Sequence, residues 1–277
     1  MLGQYLQEVR KKAPLIHNIT NYVTVNDCAN ILLACGASPI MADDKNEAAE
    51  ITAICNGLNI NIGTLNERTI DSMLSAGEKA AQLQHPILLD PVGAGASAMR
   101  TATAKKILDK LPITVLRGNI SEIKILSTGQ GIIHGVDANA ADRVTEDNLF
   151  EYMKIASQLA GKLQTIVAIS GEIDIIADKD QAAAVSNGHS LMSKITGSGC
   201  MLSALTTAYA AANQQDIFTA VLAAFCSMGI AGEIAANRMT DLDGNASFRN
   251  YLIDAVYNMT AEQLDTGAKY QLMVYND

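Results

Sequence analysis

Two glycines and two hydroxyl residues precede an alanine-rich segment where Thr196-Gly197-Ser198-Gly199-Cys200 leads into 201–212. The composition of that segment is typical of a helix, so the N–H groups of its first turn would lack partners and could bind phosphate. Cys200 ends the turn, where a transferred phosphoryl group would lie. A thiol at a helix N-terminus should have a pKa below its usual value of about 8.5. The segment predicts a small-molecule kinase in which Cys200 is a nucleophile, a base or an acceptor for a substrate hydroxyl.

Charged side chains stand where other apolar runs end. Asp90 follows such a run, and a carboxylate at the carboxyl end of a strand can hold Mg²⁺ directly or through water. Arg117 ends a second run and its guanidinium matches the geometry of phosphate, while Glu122 could position a metal-bound water. Structural roles are the alternatives: Asp90 could cap a turn, and Asn119 and Glu122 have the spacing of a helix capping box.

Other chemistries fit the sequence less well. Residues 93–98 match the loose G-x-G-x-x-A pattern of dinucleotide-binding loops, but no acidic residue ends a second strand about 20 residues later. The sequence has no zinc motif, and its histidines stand in no recognised Cys–His spacing, although such a pair stays open. Cys200 could also be a small buried side chain, as free cysteines often are. His17 and His85 adjoin apolar runs, which favours structural roles for both.

Composition limits the class of protein. The chain has 277 residues, of which 49% are apolar and 4% aromatic, and a formal net charge of −9. An acidic protein repels nucleic acid and anionic membranes, so neither is an expected partner. Five cysteines without a CxxC pair and a polar N-terminus predict a reduced, cytoplasmic protein. The apolar stretch 217–236 is interrupted by polar residues and glycines, which predicts a buried helix rather than a membrane span.

Short apolar runs alternate with helical patterns over the first 170 residues. This alternation predicts an α/β fold with a mostly parallel sheet, helices on both faces and ligands at the carboxyl ends of the strands. Asn26 is the expected N-cap and Gly36 the expected C-cap of one helix. We expect a single domain over 1–277, because no linker or repeat divides the sequence. The predicted strands are 14–19, 38–42, 58–63, 86–90, 113–117 and 165–170, the helices are 27–35, 47–55, 67–83, 101–111 and 147–163, a hairpin joins 173–177 to 182–187, and 200–263 is mostly helical.

Seven segments, taken in order, resemble the hydroxyethylthiazole kinase family, the thiazole-salvage enzymes of thiamine biosynthesis within the ribokinase-like superfamily. Each segment is a weak signal alone, but the ordered set is specific and covers about residues 14–210. Most related kinases have Gly-x-Gly-Asp at the last turn, whereas this family carries cysteine there, as Cys200 does. The segments are 17–23 (HNITNYV), 39–42 (PIMA), 61–65 (NIGTL), 90–95 (DPVGAG), 117–122 (RGNISE), 170–172 (SGE) and 196–200 (TGSGC).

The resemblance implies a reaction and a role for each matching position. It implies phosphorylation of the primary hydroxyl of 4-methyl-5-(2-hydroxyethyl)thiazole with ATP and Mg²⁺, by a homotrimer with sites near its subunit interfaces. Cys200 would be the catalytic residue, and Asp90 and Glu122 would organise Mg²⁺. By the same resemblance Asn21, Met41, Gly63 and Gly197 would line the thiazole pocket, and Arg117, Asn119, Ser170 and Gly171 would contact ATP.

Three other functions remain as alternatives. The nearest is another kinase of the superfamily, acting on a hydroxymethylpyrimidine or a sugar alcohol. A nucleotide-dependent lyase that repairs hydrated nicotinamide cofactors would typically keep aspartate at the position of Cys200. A thiazole- or thiamine-binding regulator would not need Asp90, Arg117 and Glu122. One segment departs from the family, because 244–248 reads GNASF where Gly-Pro-Gly-Ser-Phe is usual.

Overall fold

The computed structural model describes residues 1–128 and 144–275. Nine strands in these residues form one sheet with the order β2-β1-β3-β4-β5-β6-β7-β8-β9. Pairing is parallel from β2 to β6 across the sheet and antiparallel from β6 to β9, which confirms the predicted mostly parallel sheet with its hairpin. The strands are β1 (Leu15–Ile19), β2 (Ser38–Ile40), β3 (Gly57–Asn61), β4 (Ile87–Asp90), β5 (Val115–Asn119), β6 (Ile166–Ser170), β7 (Asp174–Ala177), β8 (Gln181–Val185) and β9 (Tyr270–Val274).

Side-chain caps begin some of the helices, and a left-handed glycine ends one. Asn66 opens α4 with a capping box to Thr69, and Ser97 caps α5. Gly36 ends α2 with φ +95°, as predicted for a C-cap. The helices of the described residues are α1 (Gly3–Lys12), α2 (Val25–Cys35), α3 (Ala48–Ile54), α4 (Glu67–Gln82), α5 (Ala98–Lys110), α6 (Ile120–Thr128), α7 (Leu149–Leu163), α8 (Ser198–Ala212), α9 (Ile217–Arg238), α10 (Asn245–Asn258) and α11 (Ala261–Gly267).

The sheet has an apolar core on each face. Along β6, Ile166 and Ala168 pack into one cluster of buried residues, and Val167 and Ile169 pack into the other. Successive side chains of a strand point to opposite faces, so a strand that is apolar at every position must be covered on both sides. Helices α1, α2, α8, α9 and α10 contribute to the first cluster, and α4, α5 and α7 to the second.

Helix α9 is the apolar stretch for which a buried helix was predicted. In the part of the chain that the structure describes, it is the one helix long and apolar enough to cross a membrane. Yet 78% of its most apolar window is buried inside the protein. Its apolar residues pack in the first core cluster, which accounts for its composition.

Several local features differ from the sequence predictions. Asn26 is not an N-cap: α2 already begins at Val25, and the Asn26 side chain instead accepts a hydrogen bond from Asn30. Helices α1 and α6 and strand β9 were not predicted. Strand β9 extends the antiparallel part of the sheet by pairing with β8, a contact between segments about 90 residues apart that local patterns do not encode.

Candidate active site

Four strands end in polar residues at the same edge of the sheet. Asn61 and Asp90 are paired in register at the ends of β3 and β4. Asn119 and Ser170 are paired in the same way at the ends of β5 and β6. Parallel strands present their carboxyl ends at one edge, so residues far apart in sequence meet there, as the α/β prediction required.

Asp90 is fully buried and its two carboxyl oxygens have different surroundings. Oδ2 accepts hydrogen bonds from Asn61 Nδ2 and Ser203 Oγ, each at 2.8 Å, and lies 3.5 Å from Arg117 Nη1. Oδ1 is buried without a partner among the described residues. Burial raises the pKa of Asp90, and the Arg117 charge partly offsets this. Because side chains rather than turn amides hold this carboxylate, the capping alternative is wrong.

Arg117 links β5 to the next strand and to the glycine turn. Its Nη2 donates to the Ser170 hydroxyl, which brings together two residues predicted to contact ATP. The guanidinium also lies against Gly199, where a Cβ atom would be 2.8 Å from Nη1. Gly171 follows Ser170, and its N–H donates to Asp174 Oδ1 at 2.9 Å. The phosphate-matching side chain therefore lies beside the first turn of α8.

Glu122 forms the capping box that its spacing with Asn119 predicted. The Asn119 N–H donates to Glu122 Oε2 at 2.8 Å, and the Glu122 N–H donates to Asn119 Oδ1 at 2.9 Å. Glu122 Oε1 also accepts from the Gly93 N–H at 2.8 Å, so the carboxylate joins α6 to the loop after β4. Burial and the negative Asp90 raise the pKa of Glu122 to about 7. The structural interpretation of Glu122 is confirmed, and each oxygen keeps a lone pair for a water.

The glycine turn has the geometry of an anion cradle. Gly197 has φ +87° and approaches Thr24 so closely that a Cβ would lie 2.5 Å from Thr24 Cγ2. Helix α8 begins at Ser198, and Gly197 offers no side chain to cap the N–H groups of its first turn. Gly197 and Gly199 thus serve different needs: the first a left-handed backbone and the second the approach of Arg117.

Cys200 lies in the first turn of α8 among side-chain amides. Its Sγ accepts hydrogen bonds from Asn21 Nδ2 at 3.2 Å and from Asn61 Nδ2 at 3.4 Å. The expectation of a lowered thiol pKa is wrong, because burial first and the negative Asp90 second raise the pKa of Cys200. Hydrogen bonds from Thr24 and Asn21 act in the opposite direction without outweighing burial. The thiol is therefore the dominant form of Cys200 near neutral pH.

A cavity of about 190 Å³ reaches Asn61, whose Nδ2 donates to Cys200 Sγ, although Cys200 itself does not line it. Met41, which the family resemblance assigns to the thiazole pocket, lines this cavity, and so does Asn61. Asn21 and Gly63 do not line the cavity. Both donate hydrogen bonds to Oδ1 of Asn61, which does line it. Gly197 packs against Thr24 and does not line this cavity, which corrects its expected place in the pocket.

His17 holds one wall of that cavity. The ring is fully buried, with Nε2 2.7 Å from the Ala42 carbonyl oxygen and Nδ1 2.8 Å from Thr52 Oγ1. A carbonyl only accepts, so Nε2 carries a proton, and burial lowers the pKa of the ring. Thr52 Oγ1 in turn donates to the Ala48 carbonyl oxygen at 2.8 Å, so the ring is tied to α3 through that hydroxyl. The structural role predicted for His17 is confirmed: it joins β1, α3 and the segment after β2 that carries Met41.

Sequence reasoning missed three residues of this site. Asn61 was quoted only as part of a segment, and Ser203 and Thr24 were not singled out. Asn61 had a usable signal, a buried amide at the end of an apolar strand like Asp90. Ser203 and Thr24 had none, because serine and threonine in or before helices are commonplace and only the packing of α2 and α8 on the sheet brings them to the site.

The oxygen donors at this site suit a cation that is coordinated mostly by the phosphates of a bound nucleotide and by water. No group of three or more histidine, cysteine or acidic side chains that could hold a metal occurs in residues 1–128 and 144–275. The unpartnered, buried Asp90 Oδ1 is a hard oxygen donor of the kind Mg²⁺ prefers. Mg²⁺ in nucleotide sites typically takes one or two carboxylates and otherwise phosphate and water oxygens, so the residues present fit it.

The comparisons with known proteins decide the family. The hydroxyethylthiazole kinase family model matches residues 6–262. This chain belongs to the hydroxyethylthiazole kinase family. Hydroxyethylthiazole kinase of Clostridium acetobutylicum is 58% identical over 271 residues, which cover 98% of this chain and 99% of that protein.

Solved structures place the family in its fold. A hydroxyethylthiazole kinase protein from Pyrococcus horikoshii matches with a TM-score of 0.86 at 36% identity and covers 98% of both chains. ADP/ATP-dependent NAD(P)H-hydrate dehydratase of Bacillus subtilis matches with a TM-score of 0.56 at 14% identity over 89% of this chain and 90% of that chain. The second likeness shows the fold alone, which is the ribokinase-like fold predicted from the sequence. Kinases and a dehydratase share it, so the fold by itself does not select the reaction.

Proposed function

We propose that the chain transfers the γ-phosphoryl group of ATP to the primary hydroxyl of 4-methyl-5-(2-hydroxyethyl)thiazole. The observation that carries this proposal is the meeting of Asp90, Arg117 and the N-terminus of α8 around Cys200. Phosphoryl transfer needs positioning and charge stabilisation more than covalent chemistry. A carboxylate, a guanidinium and a helix N-terminus around one point supply both.

The phosphates would lie between Arg117 and the first turn of α8. Guanidinium and phosphate match in geometry, and the N–H groups of Ser198, Gly199 and Cys200 with the helix dipole favour negative charge. Ser170 orients the guanidinium, and we assign Asn119 and Gly171 to the same nucleotide. These groups stabilise the negative charge on the transferring phosphoryl group more strongly in the transition state than in bound ATP. This difference lowers the barrier to transfer.

Mg²⁺ would be held by the phosphates with Asp90 Oδ1, and Glu122 would accept from one of its waters. When bound, the ion would neutralise phosphate charge as negative charge develops on the leaving oxygen. The chain's own part is to keep one oxygen of Asp90 free and to hold Glu122 through the N–H groups of Gly93 and Asn119.

The thiazole would occupy the 190 Å³ cavity, with its hydroxyethyl arm toward Cys200. Met41 lies against the ring, Asn21 and Gly63 shape the wall behind Asn61, and we place Gly197 at the phosphate end of the arm. The hydroxyl oxygen forms the new P–O bond as the bond from the γ-phosphorus to the leaving ADP oxygen breaks. Cys200 orients the hydroxyl and, in its thiolate form, accepts the hydroxyl proton.

We further propose a single-domain protein that assembles as a homotrimer in the cytoplasm. Tyr22 and Val23 are 76% and 61% exposed and adjoin Asn21, so a neighbouring copy would bury two large apolar side chains beside the cavity. The five cysteines are all free, as in a reducing compartment. Light scattering during size-exclusion chromatography tests the trimer, and a monomeric or dimeric mass would contradict it.

ADP release coupled to NADH oxidation tests the reaction. We expect release that depends on ATP, Mg²⁺ and hydroxyethylthiazole together, with the phosphorylated thiazole as product by mass spectrometry. Hydroxymethylpyrimidine, pyridoxal and ribose in place of the thiazole should give less than about 1% of its kcat/KM, a difference of about 3 kcal/mol in transition-state binding. Thiazole-independent release, or a better rate with one of the other alcohols, would reject the proposed substrate.

A further inference from the structure

Asn61 uses its whole side-chain amide within the candidate site. Nδ2 donates to Asp90 Oδ2 at 2.8 Å and to Cys200 Sγ at 3.4 Å. Oδ1 accepts from Asn21 Nδ2 at 3.0 Å and from the Gly63 N–H at 2.9 Å. An amide has two N–H donors and two acceptor positions, so all four are occupied. The residue is 1% exposed, at the end of β3.

The orientation of this amide is determined by its partners. A rotation by 180° would place Oδ1 against the Asp90 carboxylate and Nδ2 against the Gly63 N–H. Two repulsive contacts would then replace two hydrogen bonds in a buried place, where unpaired polar groups cost most. The amide donors therefore face Asp90 and Cys200 in the folded protein.

Asn61 affects which oxygen of Asp90 stays free. Asn61 and Ser203 both donate to Oδ2, and Arg117 lies nearest to the same oxygen, while Oδ1 has no partner among the described residues. A carboxylate with all its donors on one oxygen cannot rotate without losing them. Asn61 thus helps to aim Oδ1 into the site.

Asn61 also determines how the Cys200 sulfur is presented. Asn21 and Asn61 both donate to Sγ, and Asn21 donates to Asn61 Oδ1 with its other N–H, so the three side chains form a closed triangle. The two N–H groups that donate to the sulfur orient its lone pairs and stabilise negative charge on Sγ. The sulfur is therefore an acceptor at a defined distance from Asp90.

We propose that Asn61 is a positioning residue for phosphoryl transfer: its Nδ2 ties the Asp90 carboxylate to the Cys200 sulfur and fixes the distance between the cation side and the hydroxyl side of the reaction. This role rests on the proposed function. A kinase must align attacking and leaving oxygens on one line, and an error of about 1 Å can cost about 100-fold in rate. One amide that bonds to both sides keeps that alignment without contacting phosphorus.

Two substitutions at Asn61 separate its donors from its acceptors. Asn61→Ala removes both, whereas Asn61→Asp keeps an acceptor for Gly63 and Asn21 and replaces the donor by oxygen. We expect kcat to fall about 10–100-fold in both variants, while KM for ATP and thiazole changes less than about threefold. Asn213→Ala is the matched control, because that amide is also 1% exposed but bonds to Tyr5 and Tyr209 carbonyls at the other end of α8.

A second measurement needs neither ATP nor thiazole. The rate of Cys200 alkylation by iodoacetamide, followed by mass spectrometry of its peptide, rises with pH as the thiolate forms. Loss of the Asn61 donor should move the midpoint upward by about 1 pH unit, the size of one hydrogen bond to a charged acceptor. Asn213→Ala should leave the wild-type midpoint. This readout holds even if the thiazole is not the substrate, so failure of the proposed function is seen separately, in the wild-type ADP-release assay.

Three results would overturn the positioning role. The first is a kcat within twofold of wild type in Asn61→Asp. The second is a loss of kcat in Asn213→Ala as large as in Asn61→Ala at similar thermal stability, which would show a general effect of destabilisation. The third is an alkylation midpoint that is unchanged in both Asn61 variants.

Discussion

The guanidinium of Arg117 lies directly against the backbone of Gly199, and a Cβ atom on Gly199 would come within 2.8 Å of Nη1 and 3.0 Å of Nη2. Arg117 has little room to withdraw, because it is 7% exposed and bound to Asp90 and Ser170. The first turn of α8 and the phosphate-matching side chain thus form one surface. The backbone conformation of Gly199 would allow other residues, so the close approach of Arg117 is the reason for a glycine at this position.

Gly199→Ala should therefore displace Arg117. We expect kcat/KM for ATP to fall at least about tenfold and the free energy of unfolding to drop by about 1–3 kcal/mol, the usual cost of overpacking. Gly161→Ala, in helix α7, is the matched control. A Cβ at Gly161 would meet only the Cβ of Lys179, at a distance of 3.4 Å. That control should be neutral or stabilise the fold by up to about 1 kcal/mol. Equal kinetics for Gly199→Ala and wild type would contradict the contact.

The pH profile should report the raised pKa of Cys200. Burial and Asp90 shift this thiol above its ordinary pKa, so its thiolate fraction grows about tenfold per pH unit below that value. If Cys200 accepts the hydroxyl proton, kcat rises from pH 7 to 9 in the wild type. Cys200→Asp should keep or raise kcat at pH 7 and flatten the rise, because a carboxylate ionises at lower pH. Cys200→Ala with the wild-type kcat would refute a role as base.

Asp90→Asn should weaken Mg²⁺ binding at the site, because it removes the negative charge of the carboxylate whose Oδ1 is free. The Mg²⁺ concentration for half-maximal rate should rise about 10–100-fold, the range found when an oxygen that supports a metal is altered. Magnesium titrations at saturating ATP measure it. Asp109→Asn, on an exposed face of α5, provides the control. An unchanged magnesium dependence in Asp90→Asn would place the cation elsewhere.

His17 should make the protein less stable in mild acid. Its folded pKa lies below the unfolded value of about 6.5, so the unfolded state binds the proton first as pH falls. The stabilisation from the neutral ring is complete above about pH 6.5. As the pH falls from there to the folded pKa, the free energy of unfolding drops by up to about 1.4 kcal/mol per pH unit. Urea unfolding between pH 7.5 and 5 should show a shallower pH dependence for His17→Phe than for wild type. Parallel curves would count against a buried neutral ring.

The sequence was sufficient for the architecture around the site. Alternating apolar runs and helical patterns predicted the parallel strands, because a strand buried on both faces must be apolar throughout. Asp90 and the glycine turn were recognisable because they stand where a strand ends and a helix begins, and Arg117 because it is a charged residue within an apolar run. Local chemistry also explained the capping box of Asn119 and Glu122, whose partners are three residues apart.

Tertiary structure decided the electrostatics and the partners. The sequence predicted a lowered pKa for Cys200 from its place on a helix, but the sheet and Asp90 lie close enough to raise it. Asn61 contacts Asp90 and Cys200 across separations of 29 and 139 residues, which no local pattern records. Residue type and local spacing determine what a side chain can do, whereas burial and long-range packing determine its charge and its partners, because desolvation and hydrogen bonding depend on the three-dimensional surroundings.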